Sequence, residues 1–361
     1  MRTYNEDELT VIYLDYKGVS RKKIAELVAL GNSIFDTISH LNKSAKNIIG
    51  DKKLEQFLNV ELNEELKKLN EYLTKSEISV VTLIDDDFPV ALREIPDPPA
   101  VLYYYGDLNL VDSTHIIGVV GTRKPTYYGK TTTEKFVRTL VGEAGFVTVS
   151  GLAYGIDSEV AKRTLEQKGK HIAVLGSGLK NLYPASNINL AEKIVDSGGL
   201  VITEYFPTVK PAQYTFPDRN RIISGLSHGV LVVEAGLNSG SLITATCAIN
   251  QGKELFVVPA DIDNANNMGS NQLIEELPET FTSSPNKILK AFGLGIHENA
   301  VNVSLSDNEK AVLNALSTGA KNTDELCEIL GEDFKTLNLL LTEMEIGGII
   351  RKSHGDYYSK V

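Results

Sequence analysis

The chain has 361 residues, of which 42% are hydrophobic and 23% charged, with two cysteines and a formal net charge of −11. That length favours two or three domains, one of them large, and the composition is that of a soluble globular protein. The sequence holds no run of about 18 apolar residues and no basic stretch leading into an apolar one, which speaks against a membrane span or a secretion signal. Cys247 and Cys327 stand too far apart for a metal cluster or a disulfide framework, so a reducing, cytoplasmic setting is expected. Net acidity argues against an indiscriminate phosphate binder, because counterion release carries such affinity. Any nucleic-acid site must be a local basic pocket on an acidic body.

Residues 1–76 are polar and helical in pattern. Ser20 is a good N-cap for a helix that starts at Arg21 and continues through Val28, and 51–73 carries apolar residues at helical spacing. Over 79–107, Pro96-Asp97-Pro98-Pro99 precedes Val101-Leu102-Tyr103-Tyr104-Tyr105, and the prolines favour extended backbone ahead of an extra strand. Short Val- and Ile-rich runs then recur at 115–120, 146–149, 171–175, 200–203, 229–233 and 254–258. They alternate with amphipathic stretches at 129–144, 157–168, 188–196, 221–226 and 242–251. This alternation implies right-handed βαβ crossovers and a parallel sheet buried on both faces. The expected fold of 79–290 is an extended Rossmann-like, doubly wound α/β domain with a mainly parallel sheet. Residues 281–304 read as a linker. Beyond it, 309–316, 323–330 and 334–346 are short amphipathic helices, followed by an apolar–basic run at 348–352 and by Tyr357-Tyr358. That is the pattern of a winged helix over 305–361.

In an open parallel sheet, ligands bind beyond the carboxyl ends of the strands. The loops there hold Gly121-Thr122-Arg123-Lys124, Ser150-Gly151-Leu152-Ala153-Tyr154-Gly155-Ile156-Asp157, Gly176-Ser177-Gly178 with Tyr183-Pro184, Glu204-Tyr205-Phe206-Pro207, and Glu234-Ala235 with Asn238-Ser239-Gly240-Ser241. Glycines let backbone approach a ligand, and helix N-termini behind them favour phosphate. Arg123 and Lys124 give the crevice mouth its positive charge. Arg219 and Arg221 flank Asn220; an ion pair with Glu204 or Glu234 and a bidentate phosphate contact both fit them. Phe216 beside these cations suits base stacking, whereas Tyr214 reads as a core residue.

Neither G-x-x-x-x-G-K-[ST] nor a G-x-G-x-x-G after the first of these strands is present, which disfavours ATP hydrolysis and redox use of NAD; no cofactor and no metal are expected. None of the six histidines has an evident Ser or Cys partner, and His228 reads as structural. Glu204 and Glu234 read as loop-orienting or arginine-pairing groups rather than as an acid or base.

Taken in order, these strings resemble the DNA-processing protein A (DprA/Smf) family. Asp97-Pro98-Pro99, Gly121-Thr122-Arg123, Ser150-Gly151-Leu152-Ala153, Gly155-Ile156-Asp157, Gly176-Ser177-Gly178, Tyr183-Pro184, Phe216-Pro217 with residues 219–227, residues 239–245 and Gly269-Ser270-Asn271 carry the resemblance across roughly 80–280. It implies a non-enzymatic protein that binds single-stranded DNA in a basic pocket, forms a homodimer and loads the RecA recombinase during transformation or recombination. A helical N-terminal module of the SAM or helix-hairpin kind and a C-terminal winged helix also fit the family. The residues so implied in DNA binding are Gly121, Thr122, Arg123, Lys124, Gly151, Lys210, Phe216, Arg219, Asn220, Arg221, Gly240 and Ser241. The chain departs from the family at Gln213, where a lysine is common and Lys210 is the nearby substitute. It departs also at Ala161, at Ala260 after Pro259, and at Leu277-Pro278.

A second reading is a phosphoribohydrolase of the LOG type. Its Pro-Gly-Gly-x-Gly-Thr-x-x-Glu loop corresponds to 234–244, where the double glycine is missing and Thr244 stands in the place of the catalytic Glu. In the winged helix, 334–346 holds Lys335 against Glu343 and Glu345, a poor phosphate-facing surface. An interaction or regulatory role is expected there instead.

Overall fold

The computed structural model describes residues 3–40, 43–50, 61–262, 264, 267–295, 306–346, 349–353 and 356–360. The first part of the helix expected over 51–73, the end of the expected linker, His297, Gly348, His354 and Gly355 lie outside the described residues. The chain divides into two compact units, Met1–Gly295 and Ile296–Val361. Among the described residues no helix is long and apolar enough to cross a membrane.

The first unit opens with helices α1 (Glu6–Tyr16), α2 (Arg21–Val28), α3 (Ile34–Ser39), α4 (Lys43–Ile49) and α5 (Leu62–Lys75). A capping box starts α1: the Asn5 side chain accepts from the Glu8 amide while the Glu8 carboxylate accepts from the Asn5 amide. Ser20 occupies the N-cap of α2 but makes no side-chain capping bond. These helices share one apolar core with the sheet: Ile12, Leu14, Leu69 and Leu73 are buried with Val80, Tyr103 and Val201. The Tyr103 hydroxyl reaches back to donate to Asp15 of the N-terminal segment at 2.8 Å.

The sheet has eight strands: β1 (Ser79–Thr82), β2 (Val101–Gly106), β3 (Ile116–Val120), β4 (Val147–Ser150), β5 (His171–Val174), β6 (Leu200–Thr203), β7 (Gly229–Val232) and β8 (Glu254–Val257). Their order is β1-β2-β6-β5-β4-β3-β7-β8. The six strands expected from the apolar runs are the parallel set, and β1 and β2 extend it antiparallel through the β2–β6 pairing. All residues of β3 through β7 are buried, as strands covered on both faces require. From β3 the chain winds outward to β6, then returns to the other side of β3 at β7. The switch point, and the crevice it opens, therefore lie at the carboxyl ends of β3 and β7.

The covering helices are α6 (Val90–Arg93), α7 (Tyr127–Val137), α8 (Ile156–Glu166), α9 (Ile188–Asp196), α10 (Thr215–Leu226), α11 (Gly240–Asn250), α12 (Met268–Glu276) and α13 (Pro285–Ala291). Three departures from the sequence reading matter. The helix expected over 129–144 is α-helical only to Val137 and closes in π geometry over Arg138–Glu143. Helix α10 begins at Thr215 rather than 221, so Phe216 and Arg219 lie on its first two turns. The expected linker contains α13, started by Pro285 and held by the buried Ile288 and Leu289 in the cluster with Phe256. Its seven residues are too few for periodicity to reveal.

The second unit holds α14 (Asp307–Ala315), α15 (Thr323–Leu330) and α16 (Phe334–Ile346) with β9 (Lys321–Asn322), β10 (Ile350–Ser353) and β11 (Tyr357–Lys360), in sheet order β10-β11-β9. Capping boxes at Ser306/Glu309 and Asn322/Glu325 start the first two helices. Val312, Leu326, Leu337, Leu341, Met344, Ile350 and Tyr358 form its core. This is the winged helix read from the sequence.

Candidate functional site

At the switch point an open crevice of about 800 Å³ is walled by the loops after β3, β4, β5 and β7 and by the first turns of α10. The loop after β3 passes close to α8: a Cβ on Gly121 would stand 2.6 Å from an Ile156 side-chain carbon. Thr122 is fixed on both sides, its amide donating to the Glu234 carbonyl at 2.7 Å and its carbonyl accepting from the Ile156 amide at 3.1 Å. The Glu234 carboxylate accepts from the Thr126 amide and hydroxyl, both at 2.9 Å. It thus braces the loop that presents Arg123 and Lys124, the orienting role expected of it.

Arg123 is exposed, and its guanidinium lies over the Phe216 ring, 5.4 Å from the centroid. Phe216 and Arg219 stand three apart on α10, hence on one face. Arg219 is buried at the back of the crevice. Its Nη1 donates to the Gly151 carbonyl at 2.7 Å and also to the Val174 carbonyl, and its Nε donates to Asn220 Oδ1 at 3.2 Å. Burial lowers its pKa to about 10, against the opposing pull of Asp157, so it remains a cation at neutral pH. Asp157 accepts from the Gly151 amide at 2.9 Å. Burial raises its pKa, and the neighbouring Arg219 opposes the rise. Asn220 Nδ2 donates to the Gly240 carbonyl at 3.1 Å, tying α10 to the start of α11, where Ser241 and Ser239 share a hydroxyl contact of 2.7 Å.

Gly121, Thr122, Arg123, Lys124, Phe216, Arg219, Asn220, Gly240 and Ser241 thus meet around one crevice, although the sequence spreads them from position 121 to position 241. Gly151 is not a wall of the crevice but seats Arg219, since a Cβ there would overlap the guanidinium. Lys210 is exposed and not among the lining residues, whereas Gln213 is. Arg221 does not line the crevice. Two residues on from Arg219, it points to another face of α10 and pairs with Glu204 at 2.6 and 2.8 Å. Of the two readings open for these arginines, Arg221 takes the internal ion pair with Glu204. Arg219 takes neither of the named carboxylates and keeps its guanidinium at the crevice wall.

Two further expectations are corrected. Tyr214 is 73% exposed rather than in the core, standing just before the first turn of α10. His171 does have a serine neighbour: its Nε2 is 3.2 Å from Ser150 Oγ, and its Nδ1 is 2.8 Å from Thr148 Oγ1. All three groups are fully buried, and burial pushes the His171 pKa down to about 3. The pairing holds β4 to β5 and presents no nucleophile to solvent. Tyr183 and Asp157 line the crevice although neither was assigned a role there; the position of each in a loop after a strand was the available signal. At the departure after β8, Ala260 exchanges backbone hydrogen bonds with the Asn271 side chain at 3.0 and 3.2 Å.

The sheet and its crevice define a Rossmann-type α/β protein with a cationic, aromatic-walled crevice, in a chain that also carries a winged helix. The family model described as DNA recombination-mediator protein A matches residues 79–293, and the DprA winged helix domain matches 298–356. The chain is 36% identical over 280 residues to Protein Smf of Escherichia coli (strain K12), spanning 75% of this chain and 74% of that protein. It is 40% identical over 199 residues to DNA processing protein DprA of Bacillus subtilis (strain 168), spanning 55% of this chain and 66% of that one. Among solved structures, DNA processing protein A from Streptococcus pneumoniae superposes with a TM-score of 0.68 at 32% identity, over 80% of this chain and 98% of that one. The corresponding Helicobacter pylori protein, whose structure concerns its single-stranded DNA binding mode, gives 0.54 at 31% identity over 60% and 95%. The chain belongs to the DNA processing protein A family.

Proposed function

We propose that the crevice binds single-stranded DNA, and that the chain acts as a homodimer which protects the strand and loads RecA onto it in transformation or homologous recombination. The observation that carries this reading is the Arg123 guanidinium over the Phe216 ring at the mouth, with the Arg219 cation behind it. A single strand presents both partners such a pair needs, a phosphate for the cation and an unstacked base for the ring. A duplex hides its base faces. The charge is also local, as an acidic chain of net −11 requires. Binding without bond cleavage accords with the bracing of Glu234 and with the burial of Ser150 and His171. It accords too with Thr244, which lines the crevice at the position where a phosphoribohydrolase needs its glutamate.

The test is fluorescence anisotropy of a labelled single-stranded oligonucleotide, with duplex competitor, at several salt concentrations. Salt-sensitive binding that duplex fails to displace is the expected result. Absence of binding at low salt would refute the reading and turn attention to nucleoside monophosphates.

A further inference from the structure

Phe216 is not alone at the rim. Its ring centroid lies 5.7 Å from that of Tyr183, at an interplanar angle of 58°, and Tyr183 lies 6.4 Å from Tyr154 at 82°. The three rings form a row that starts beside Arg123 and runs out of the crevice over two separate strand-end loops. Tyr183 is 42% and Tyr154 47% exposed, so neither serves mainly to fill the core.

The loops beneath them are firmly built. Leu152 and Gly155 both take left-handed backbone, with φ of 51° and 80°. Leu152 is buried, and its carbonyl accepts from Asn187 Nδ2 at 2.9 Å, which ties the Tyr154 loop to the segment just after Tyr183. The Tyr183 loop is tied in turn to the segment leading towards α10: the Gly178 amide donates to the Val209 carbonyl at 2.9 Å, and Asn181 Nδ2 donates to the Thr208 carbonyl at 2.8 Å. Large rings held on braced backbone, with nearly half their surface in solvent, lose little freedom when a planar ligand covers them.

We propose that Tyr183 and Tyr154 continue the DNA site, each offering a face to one base of the strand as it leaves the crevice at Phe216. This rests on the single-stranded DNA reading above and adds to it the direction of exit and the residues that grip it. The tilts between neighbouring rings leave no parallel slot for an intercalated base, so bases stack on the outward faces. Such stacking is blind to sequence, because every base has a face.

The chain has no tryptophan, so Tyr154→Trp introduces a single reporter. An oligothymidylate of about 12 nucleotides, within the range of site sizes seen for single strands, is expected to quench its emission. Tyr183→Ala and Tyr154→Ala are each expected to weaken binding of that oligonucleotide by about 5- to 150-fold, the range for loss of one stacked base. A strand too short to extend past Phe216 should lose nothing. Tyr183→Phe and Tyr154→Phe should bind as wild type does, since the ring rather than the hydroxyl stacks on the base. Wild-type affinity in both alanine variants, with Phe216→Ala still impaired, would overturn this inference and leave the crevice reading standing. Failure of the wild-type chain to bind any single strand would overturn both.

Discussion

Arg21 grips Asp218 with both ends of its guanidinium, Nη1 to Oδ2 and Nη2 to Oδ1, each at 2.8 Å. The pair joins the second N-terminal helix to α10 one residue before Arg219. Arg21 also donates to Asp97, through Nε at 2.9 Å and through Nη2, and lies 3.6 Å from Glu204. Arg221 completes the cluster, on Glu204 and 3.4 Å from Asp97. Two guanidiniums thus hold three carboxylates in a largely desolvated seam. Burial alone would push the carboxyls of Asp97 and Asp218 up, but the Arg21 hydrogen bonds and charge prevail and hold both below the usual range. The N-terminal helices are therefore bolted to the helix that carries Phe216 and Arg219.

Removing Arg21 leaves the three carboxylates facing Arg221 alone. Arg21→Ala should cost about 1–3 kcal/mol, less than for a fully buried pair because its side chain is 26% exposed. In urea denaturation, a double-mutant cycle of Arg21→Ala with Asp218→Ala should return a coupling of about 1 kcal/mol or more. Additive losses would mean that the seam does not act as one unit.

The two crevice arginines should separate on stability. Arg123 is exposed, so Arg123→Ala should leave thermal unfolding within about 0.5 kcal/mol of wild type while weakening oligonucleotides of all sequences alike. The salt slope of binding should fall by about 0.7 for each phosphate no longer neutralised. Arg219→Ala should weaken binding and also lower stability by about 2–4 kcal/mol. Asp157 and the carbonyls of Gly151 and Val174 would be left without their cation in a buried setting. A sequence-selective loss in either variant would contradict a phosphate role.

Two glycines of the site should behave in opposite ways. At Gly151 a new Cβ would overlap the Arg219 guanidinium, so Gly151→Ala should displace that side chain and reduce binding about tenfold or more. At Gly240 nothing lies within 4 Å of the place a methyl group would take, so Gly240→Ala should fold and melt as wild type does. Differential scanning calorimetry alongside anisotropy reads both effects, and normal binding by Gly151→Ala would remove its seating role.

His171 sets an acid limit to stability. Its folded pKa of about 3 lies below the ordinary value of 6.5, because burial disfavours the charged ring. Between those two values the unfolded chain binds the extra proton, so stability rises with pH across that window and is lost as pH falls through it. The contribution lost at the acid end is on the order of 5 kcal/mol. His171→Asn should flatten this part of the stability–pH curve measured from pH 7 down to 4, apart from the general acid loss of other groups. An unchanged slope would assign the acid limb elsewhere.

The alternation of apolar runs with amphipathic stretches was sufficient to read the parallel sheet, because strand and helix periodicity are local properties and buried parallel strands admit few charges. The strand-end loops were legible for the same reason, and with them Gly121, Arg123 and Ser241; Phe216 was read from its place beside the arginines, and Asn220 was implied only by the family resemblance. The three short helices and hairpin of the winged helix were likewise set by pattern, with Ser306 and Asn322 capping the first two helices.

What the tertiary structure alone decided is which face each residue shows. Arg219 and Arg221 are chemically equal in the sequence. Only the start of α10 at Thr215, and its packing against β5 and α11, sends one to the crevice and the other to Glu204. Tyr214 is exposed because of that same starting point. The Arg21–Asp218 pair spans 197 positions and the Ser150–His171 pair 21, distances over which sequence pattern carries no signal. Such pairings follow from burial of a shared core, which fixes helix phase and strand register only when the whole unit is assembled.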